Sequence, residues 1–183
     1  MKIEQTPLQD CCIIHDTVFE DTRGYFFESF NSKKFEQLTG VTTPFVQDNQ
    51  SASTRGVLRG LHMQTGEHAQ SKLVRVLAGK VLDVAVDLRK YSPSFGKAFS
   101  IELTGDNHKQ LYIPRGFAHG FVVLSDTAVF FYKCDNFYNK ASEMGIMYDD
   151  PDLDIDWQLP KAELILSDKD MQNAYLADII HRL

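Results

Sequence analysis

From position 81 to 88 the chain reads VLDVAVDL, and its side chains alternate as they would along an extended strand. Leu82, Val84, Val86 and Leu88 fall on one side; Val81, Asp83, Ala85 and Asp87 fall on the other. Just upstream, KLVRV at 72–76 leads into Leu77-Ala-Gly-Lys80, which predicts a hairpin joining the two runs. Further strands are predicted at 45–49, 98–103, 110–113, 120–124 and 128–132. Turn formers separate them: Ser92-Pro-Ser, Thr104-Gly-Asp-Asn, Pro114-Arg-Gly and Ser125-Asp. Many short strands so spaced predict an all-β sandwich or barrel. Helices are few and peripheral. One is predicted at 31–38, with Asn31 or Ser32 as N-cap, Phe35 and Leu38 on one face and Gly40 beyond its end. Another is predicted at 171–180, after a capping box formed by Ser167 and Asp170.

At 183 residues with 43% apolar composition, the chain is expected to fold as one domain, 1–183, without needing disulfides or a structural metal. Its net charge of −6 (19 basic against 25 acidic residues) disfavours a broad polyanion-binding surface, so nucleic acid is not the expected partner. A small anion held by converging arginines stays compatible with that charge. Cys11, Cys12 and Cys134 are odd in number and form no CxxC pair, which points away from a disulfide framework or a zinc site. The start, MKIEQTPLQD, lacks the apolar core of a signal peptide, and no apolar run approaches the ~20 residues of a membrane span. A cytoplasmic protein with no membrane partner is expected.

Two patches carry candidate chemistry: Arg59-Gly-Leu-His-Met-Gln64, with His62 near the end of a strand, and Ile113-Pro-Arg-Gly-Phe-Ala-His-Gly-Phe121. In the second, proline and glycine set a tight turn, so that His119 can enter the next strand facing inward. This patch resembles the second motif of the cupin superfamily, whose barrels often bind a divalent metal. The first cupin motif needs an H-x-H pair, which alternation would point to one side; here Gln64, a weak ligand, takes the second place, so no metal is expected. His62 could instead act as a general base, given an orienting carboxylate (Asp83 or Asp170), an acid (Tyr132) and a cation for developing negative charge (Lys72). Bland readings stand beside these. His62 reads equally as a satisfied structural histidine, Asp170 as the N3 residue of its capping box, Tyr132 as strand packing and Lys72 as a solvated edge charge.

Taken together, the motifs resemble the dTDP-4-dehydrorhamnose 3,5-epimerase family. They are Arg-Gly-Leu-His-x-Gln at 59–64, Lys-Leu-Val-Arg-Val at 72–76, Gly-Lys-Val-Leu-Asp-Val-Ala-Val-Asp-Leu-Arg at 79–89 and Ser-Pro-x-Phe-Gly at 92–96. They continue with Ile-Pro-x-Gly-Phe-Ala-His-Gly-Phe at 113–121, Tyr-Lys at 132–133, Glu-x-Gly-Ile at 143–146, Asp-Asp-Pro at 149–151, Ile-Asp-Trp at 155–157 and Leu-Ser-x-Lys-Asp at 166–170. The resemblance implies a double-stranded β-helix, a jelly roll of the metal-free cupin branch. It also implies a homodimer, to which the segment up to about residue 45 contributes, and no cofactor. The implied substrate is a dTDP-4-keto-6-deoxy sugar. On this reading His62 is the base, Asp170 orients it, Tyr132 is the acid on the opposite ring face and Lys72 stabilises the enolate. Arg23 and Arg59 would hold the diphosphate; Glu28, Gln47, Asp48, Asn49, His119, Glu143 and Lys169 would complete the site. Phe19, Phe26 and Tyr138 would pack against thymine or sugar.

The sequence departs from the family pattern at Met63, where an aromatic is usual, at Phe137, where Tyr-Tyr is common, and at Tyr148, where tryptophan is frequent. None removes a proposed chemical group. Related enzymes epimerise a single carbon or move the keto group. Outside that class, a metal-dependent cupin enzyme or a non-catalytic nucleotide-sugar-binding domain remains open at the level of residues.

Overall fold

Strands form where the alternation marks them, and in several places where it does not. A computed structural model describes residues 1–182; Leu183, the last position of the predicted domain, lies outside the described residues. In chain order the elements are β1 (Lys2–Gln5), β2 (Cys12–His15), β3 (Phe19–Asp21), β4 (Gly24–Phe26), α1 (Ser32–Thr39), β5 (Gln47–Thr54), β6 (Leu58–Gln64) and β7 (Lys72–Ala78). They continue with β8 (Lys80–Asp87), β9 (Ala98–Thr104), β10 (Lys109–Ile113), β11 (Phe117–Val123), β12 (Thr127–Cys134), β13 (Glu143–Gly145) and α2 (Leu176–Ile179). A six-stranded sheet runs β1-β2-β10-β7-β12-β5, and a five-stranded sheet runs β13-β6-β11-β8-β9. This is the jelly roll the motifs imply.

The predicted hairpin between 72–76 and 81–88 does not form. β7 pairs with β10 and β12, whereas β8 pairs with β11 and β9 in the other sheet. A single residue, Gly79, separates them, too short a connection for a hairpin. With φ of +79° and the Thr127 carbonyl oxygen only 2.0 Å from where a Cβ would sit, it turns the chain from one sheet to the other.

The alternation along β8 sorts residues between two cores rather than between core and water. Val81 and Ala85 join Val74, Val76, Phe121 and Phe130 between the sheets. Leu82, Val84, Val86 and Leu88 join Leu61, Trp157, Leu176 and Ile179 under the C-terminal segment. Each fully buried leucine of this kind contributes roughly 1.5–3 kcal/mol relative to its exposed state. Met63 belongs to this second cluster, so its place in the motif is one of packing. The far side of the larger sheet is covered too, by Phe35 of α1 with Phe30 and Phe45 against Cys12, Ile14 and Tyr112.

Helix α1 matches its prediction: the Asn31 side chain accepts from Lys34 N–H, and Gly40 ends the helix with φ of +74°. The predicted helix at 171–180 is broken instead. A 3-10 turn spans Asp170–Gln172, Asn173 is extended, Ala174 bridges to Ile146, and only Leu176–Ile179 is α-helical. Tertiary pairing at Ala174 overrides local helix propensity there. No helix among the described residues is long and apolar enough to cross a membrane.

Candidate active site

His62 lies inside β6, not at its end, opposite Gly145 of β13 on one side and His119 of β11 on the other. Its Nε2 is 2.5 Å from Asp170 Oδ1. Asp170 meets both of its sequence readings. Its backbone N–H donates to Ser167 Oγ at 3.1 Å, as a capped turn requires, and this leaves the carboxylate free to reach the imidazole. Because an ionised carboxylate only accepts, Nε2 carries the shared hydrogen, so that whenever the ring is neutral its free lone pair is on Nδ1.

Tyr132 and Lys72 face His62 from the other sheet, on the paired strands β12 and β7. All four side chains line one cavity of about 650 Å³. The Lys72 ammonium sits 5.8 Å from the centroid of the Tyr132 ring and makes no ion pair among the described residues. Burial pushes the Lys72 ammonium below its ordinary value and the Tyr132 phenol above its own. The phenol therefore stays protonated, as an acid must. Burial also raises the Asp170 carboxyl, but the hydrogen bond and charge of His62 outweigh it and hold the group below the usual range. His119 is buried and bonded through Nε2 to Asp83 Oδ2 at 2.9 Å; desolvation pushes its pKa down, with Asp83 opposing. Both carboxylates considered for the base thus have a histidine, and Asp170 has the one in question. The Arg59 guanidinium also lines the cavity and donates to Ser53 Oγ at 3.2 Å.

A smaller hollow of about 170 Å³ shares His62, Lys72, Tyr132 and Asn49 with the first and adds Gln47, Tyr138 and Glu143. Here Tyr138 Oη donates to Glu143 Oε2 at 2.9 Å, and Lys169 Nζ lies 2.5 Å from Glu143 Oε1. Burial raises the Glu143 carboxyl, yet these two partners bring it below its ordinary value. Gln64, the residue in the place of a metal-binding histidine, is buried and accepts the Asn139 N–H on Oε1 at 2.9 Å.

Five predicted site residues lie elsewhere in the single chain. Along β5 the inward positions are Gln47, Asn49, Ser51 and Ser53, so alternation turns Asp48 outward, where Lys133 pairs with it at 2.9 Å. Arg23, Phe19 and Phe26 line a separate surface hollow at the β3–β4 hairpin, and Arg23 pairs with Asp21. Glu28 pairs with Lys34 at 2.8 Å. Conversely, Ser51 lines the cavity although nothing in the sequence reading names it, and Ser167, named only for its capping box, lines it too; Ser51 was reachable from the polar alternation of 47–54.

A jelly roll whose interior holds a paired imidazole, a phenol and an ammonium around one polar cavity has the fold and functional groups of a sugar isomerase. The sequence model of the family described as dTDP-4-dehydrorhamnose 3,5-epimerase matches residues 5–178, and the chain belongs to that family. A relative of that name from Shigella flexneri is 51% identical over 97% of each chain. The crystal structure of the enzyme from Elizabethkingia anophelis is similar at 61% identity and a TM-score of 0.94, covering 97% of each chain. That of a dTDP-6-deoxy-D-glucose-3,5-epimerase from Legionella pneumophila, in complex with dTDP-4-keto-L-rhamnose, has 49% identity and a TM-score of 0.93, covering 96% of this chain and 93% of that one.

Proposed function

We propose that this isomerase inverts C3 and C5 of dTDP-4-dehydro-6-deoxy-D-glucose to give dTDP-4-dehydro-L-rhamnose, a step of dTDP-L-rhamnose biosynthesis in the cytoplasm. The observation that carries the reading is the His62–Asp170 contact facing Tyr132 and Lys72 across one cavity. Both protons are alpha to the C4 ketone. His62 takes one, the C–H electron pair moves onto the C4 oxygen as an enolate, and the Lys72 ammonium stabilises that oxygen. Tyr132 then protonates the carbon from the other face, which inverts it. Water returns a proton to the phenolate and removes one from the imidazolium before the second inversion. Asp170 stabilises the imidazolium that forms between these steps. A site sheltered from bulk water strengthens the contact between Lys72 and the enolate.

The protein works as a homodimer in which the β3–β4 hairpin of one copy completes the cavity of the other. Supporting this, Phe19 and Phe26 are 63% and 71% exposed in the single chain, an apolar pair unusual for a surface with no partner. Arg23 beside them then joins Arg59 at the diphosphate, where forked donors suit phosphate oxygens. Gln47, Asn49, His119, Glu143, Lys169 and Tyr138 hold the rest of the nucleotide sugar.

The test is incubation with dTDP-4-dehydro-6-deoxyglucose in deuterated water, following label by NMR. Label at both C3 and C5 is expected. Label at one carbon would select a single-site epimerase, and none would refute proton transfer altogether.

A further inference from the structure

Two of the quoted motifs, Glu-x-Gly-Ile at 143–146 and Asp-Asp-Pro at 149–151, extend beyond any residue with a chemical role. Their positions in the fold converge on the arm that carries Asp170. Asp170 lies in no regular strand; it sits in a 3-10 turn of the C-terminal segment, and its place against His62 depends on how that segment is held. The segment is stitched to the chain just after β13. Ala174 bridges to Ile146, and the Ala174 carbonyl accepts from Met147 N–H at 3.0 Å.

The strongest stitch is a buried carboxylate. Asp150, 2% exposed, accepts Leu176 N–H on Oδ2 at 2.6 Å and Asp152 N–H on Oδ1 at 2.9 Å. Leu176 opens α2, whose own N-cap residue, Tyr175, supplies no side-chain acceptor, so Asp150 serves that helix from a distant part of the chain. A second stitch lies beside His62. Its cross-strand neighbour is Gly145, and a Cβ there would fall 2.1 Å from Asn173 Oδ1 and 2.5 Å from Asn173 Cγ. The missing side chain at 145 is the space into which the arm settles, three residues beyond Asp170.

We propose that Asp150 and the Gly145–Asn173 contact are positioning elements for the His62–Asp170 dyad: they latch the C-terminal arm so that the carboxylate stays on the imidazole. The proposal rests on the reading of His62 as the base. It assigns Asp150 no contact with substrate.

The test compares Asp150→Asn with Asp170→Asn. An asparagine offers one acceptor oxygen where two backbone N–H groups need acceptors, and it turns an NH₂ toward one of them. A misplacement of about 1 Å in a catalytic group costs on the order of a hundredfold. Asp150→Asn is therefore expected to lower kcat by about that factor while KM for the nucleotide sugar stays within about threefold. A spectroscopic signature separates positioning from mere loss of stability. The imidazole N–H bonded to a carboxylate gives a downfield proton NMR line, expected to move upfield in Asp170→Asn, where a neutral amide replaces the carboxylate, and to broaden or vanish in folded Asp150→Asn. If Asp150→Asn keeps that line, the proposal is overturned, whether or not kcat falls. If Asp170→Asn itself has no effect on kcat, the fault lies with the base assignment instead. Should Asp150→Asn fail to fold, Gly145→Ala is the second variant. It should lose activity by pushing Asn173 aside, and adding Asn173→Ala should restore about tenfold or more of the loss. A double variant no better than the single one would overturn the latch.

Discussion

Replacing Asp170 by asparagine keeps the shape of the side chain and removes its charge. In the resting enzyme the amide of Asp170→Asn still offers an oxygen to His62 Nε2–H, so the ring keeps its orientation and tautomer. The difference appears when the imidazole takes a proton and becomes a cation, because only a carboxylate then gains in interaction. The contact is short, 2.5 Å, and the carboxylate is 6% exposed, so solvent replaces little of what is lost. Hydrogen bonds to charged groups contribute roughly 1.5–3 kcal/mol. At about 1.4 kcal/mol per factor of ten, the rate of proton abstraction should fall roughly 10- to 150-fold, in kcat and not in KM. Deuterium wash-in at C3 and C5, followed by NMR under saturating substrate, reads that rate. Stability should change in its own direction. The folded carboxyl lies below its usual 3.8, so it favours the fold above that value and loses its contribution as pH falls through 3.8 toward the lower folded value. Acid unfolding of the variant should lack this component. An Asp170→Asn protein that is folded and exchanges deuterium at the wild-type rate would refute the dyad.

Three further outcomes follow from the same geometry. Tyr132→Phe should leave wash-in measurable while almost no inverted product forms, as read by NMR of the sugar ring protons; normal yields of inverted sugar would assign the acid elsewhere. Lys72→Met should lower kcat by about 10²- to 10³-fold, the usual cost of losing an oxyanion donor. Because burial depresses the Lys72 ammonium below 10.5, the wild-type alkaline limb of kcat should fall at lower pH than a free lysine would give, and that limb should be absent from the residual activity of the variant. Mixing Arg23→Ala chains with His62→Ala chains should restore activity that neither has alone, since each mixed dimer then holds one intact site; a mixture as inactive as its parts would place the hairpin in its own chain's site.

The barrel was legible because its strands alternate, and the misreadings are places where alternation has no contrast to show. In β2 the run Cys12-Ile-Ile-His places Cys12 and Ile14 in one core and Ile13 in another, so no polar face announces a strand. The same two-sided burial made 72–88 look like a hairpin, when Gly79 carries the chain between sheets. The proposed catalytic set was legible only through the order of its motifs. Spacing alone left Asp83 and Asp170 equal as partners, and the fold separates them by giving Asp83 to His119. Asp48 was grouped with Gln47 and Asn49 although strand periodicity already placed it on the other face. The broken helix at 171–180 was out of reach of local reasoning, because its extended residues answer to Ile146, far earlier in the chain.

The sheet order separates two kinds of position. His62, Lys72, His119 and Tyr132 all stand on strands flanked on both sides, so a change there disturbs two ladders at once. Gln47 and Asn49 stand on β5 and Glu143 on β13, each an edge strand of its sheet, and Lys169 and Tyr138 stand on segments outside both sheets. The groups proposed to transfer protons thus stand on strands held from both sides, and most of those proposed to read the nucleotide sugar stand on outer strands or on segments outside the sheets. Of the proposed grips on the substrate, Arg59 alone shares a strand with the proposed base. On the proposed roles, substitutions at these rims should change which sugar is accepted, whereas substitutions on the flanked strands should stop proton transfer itself.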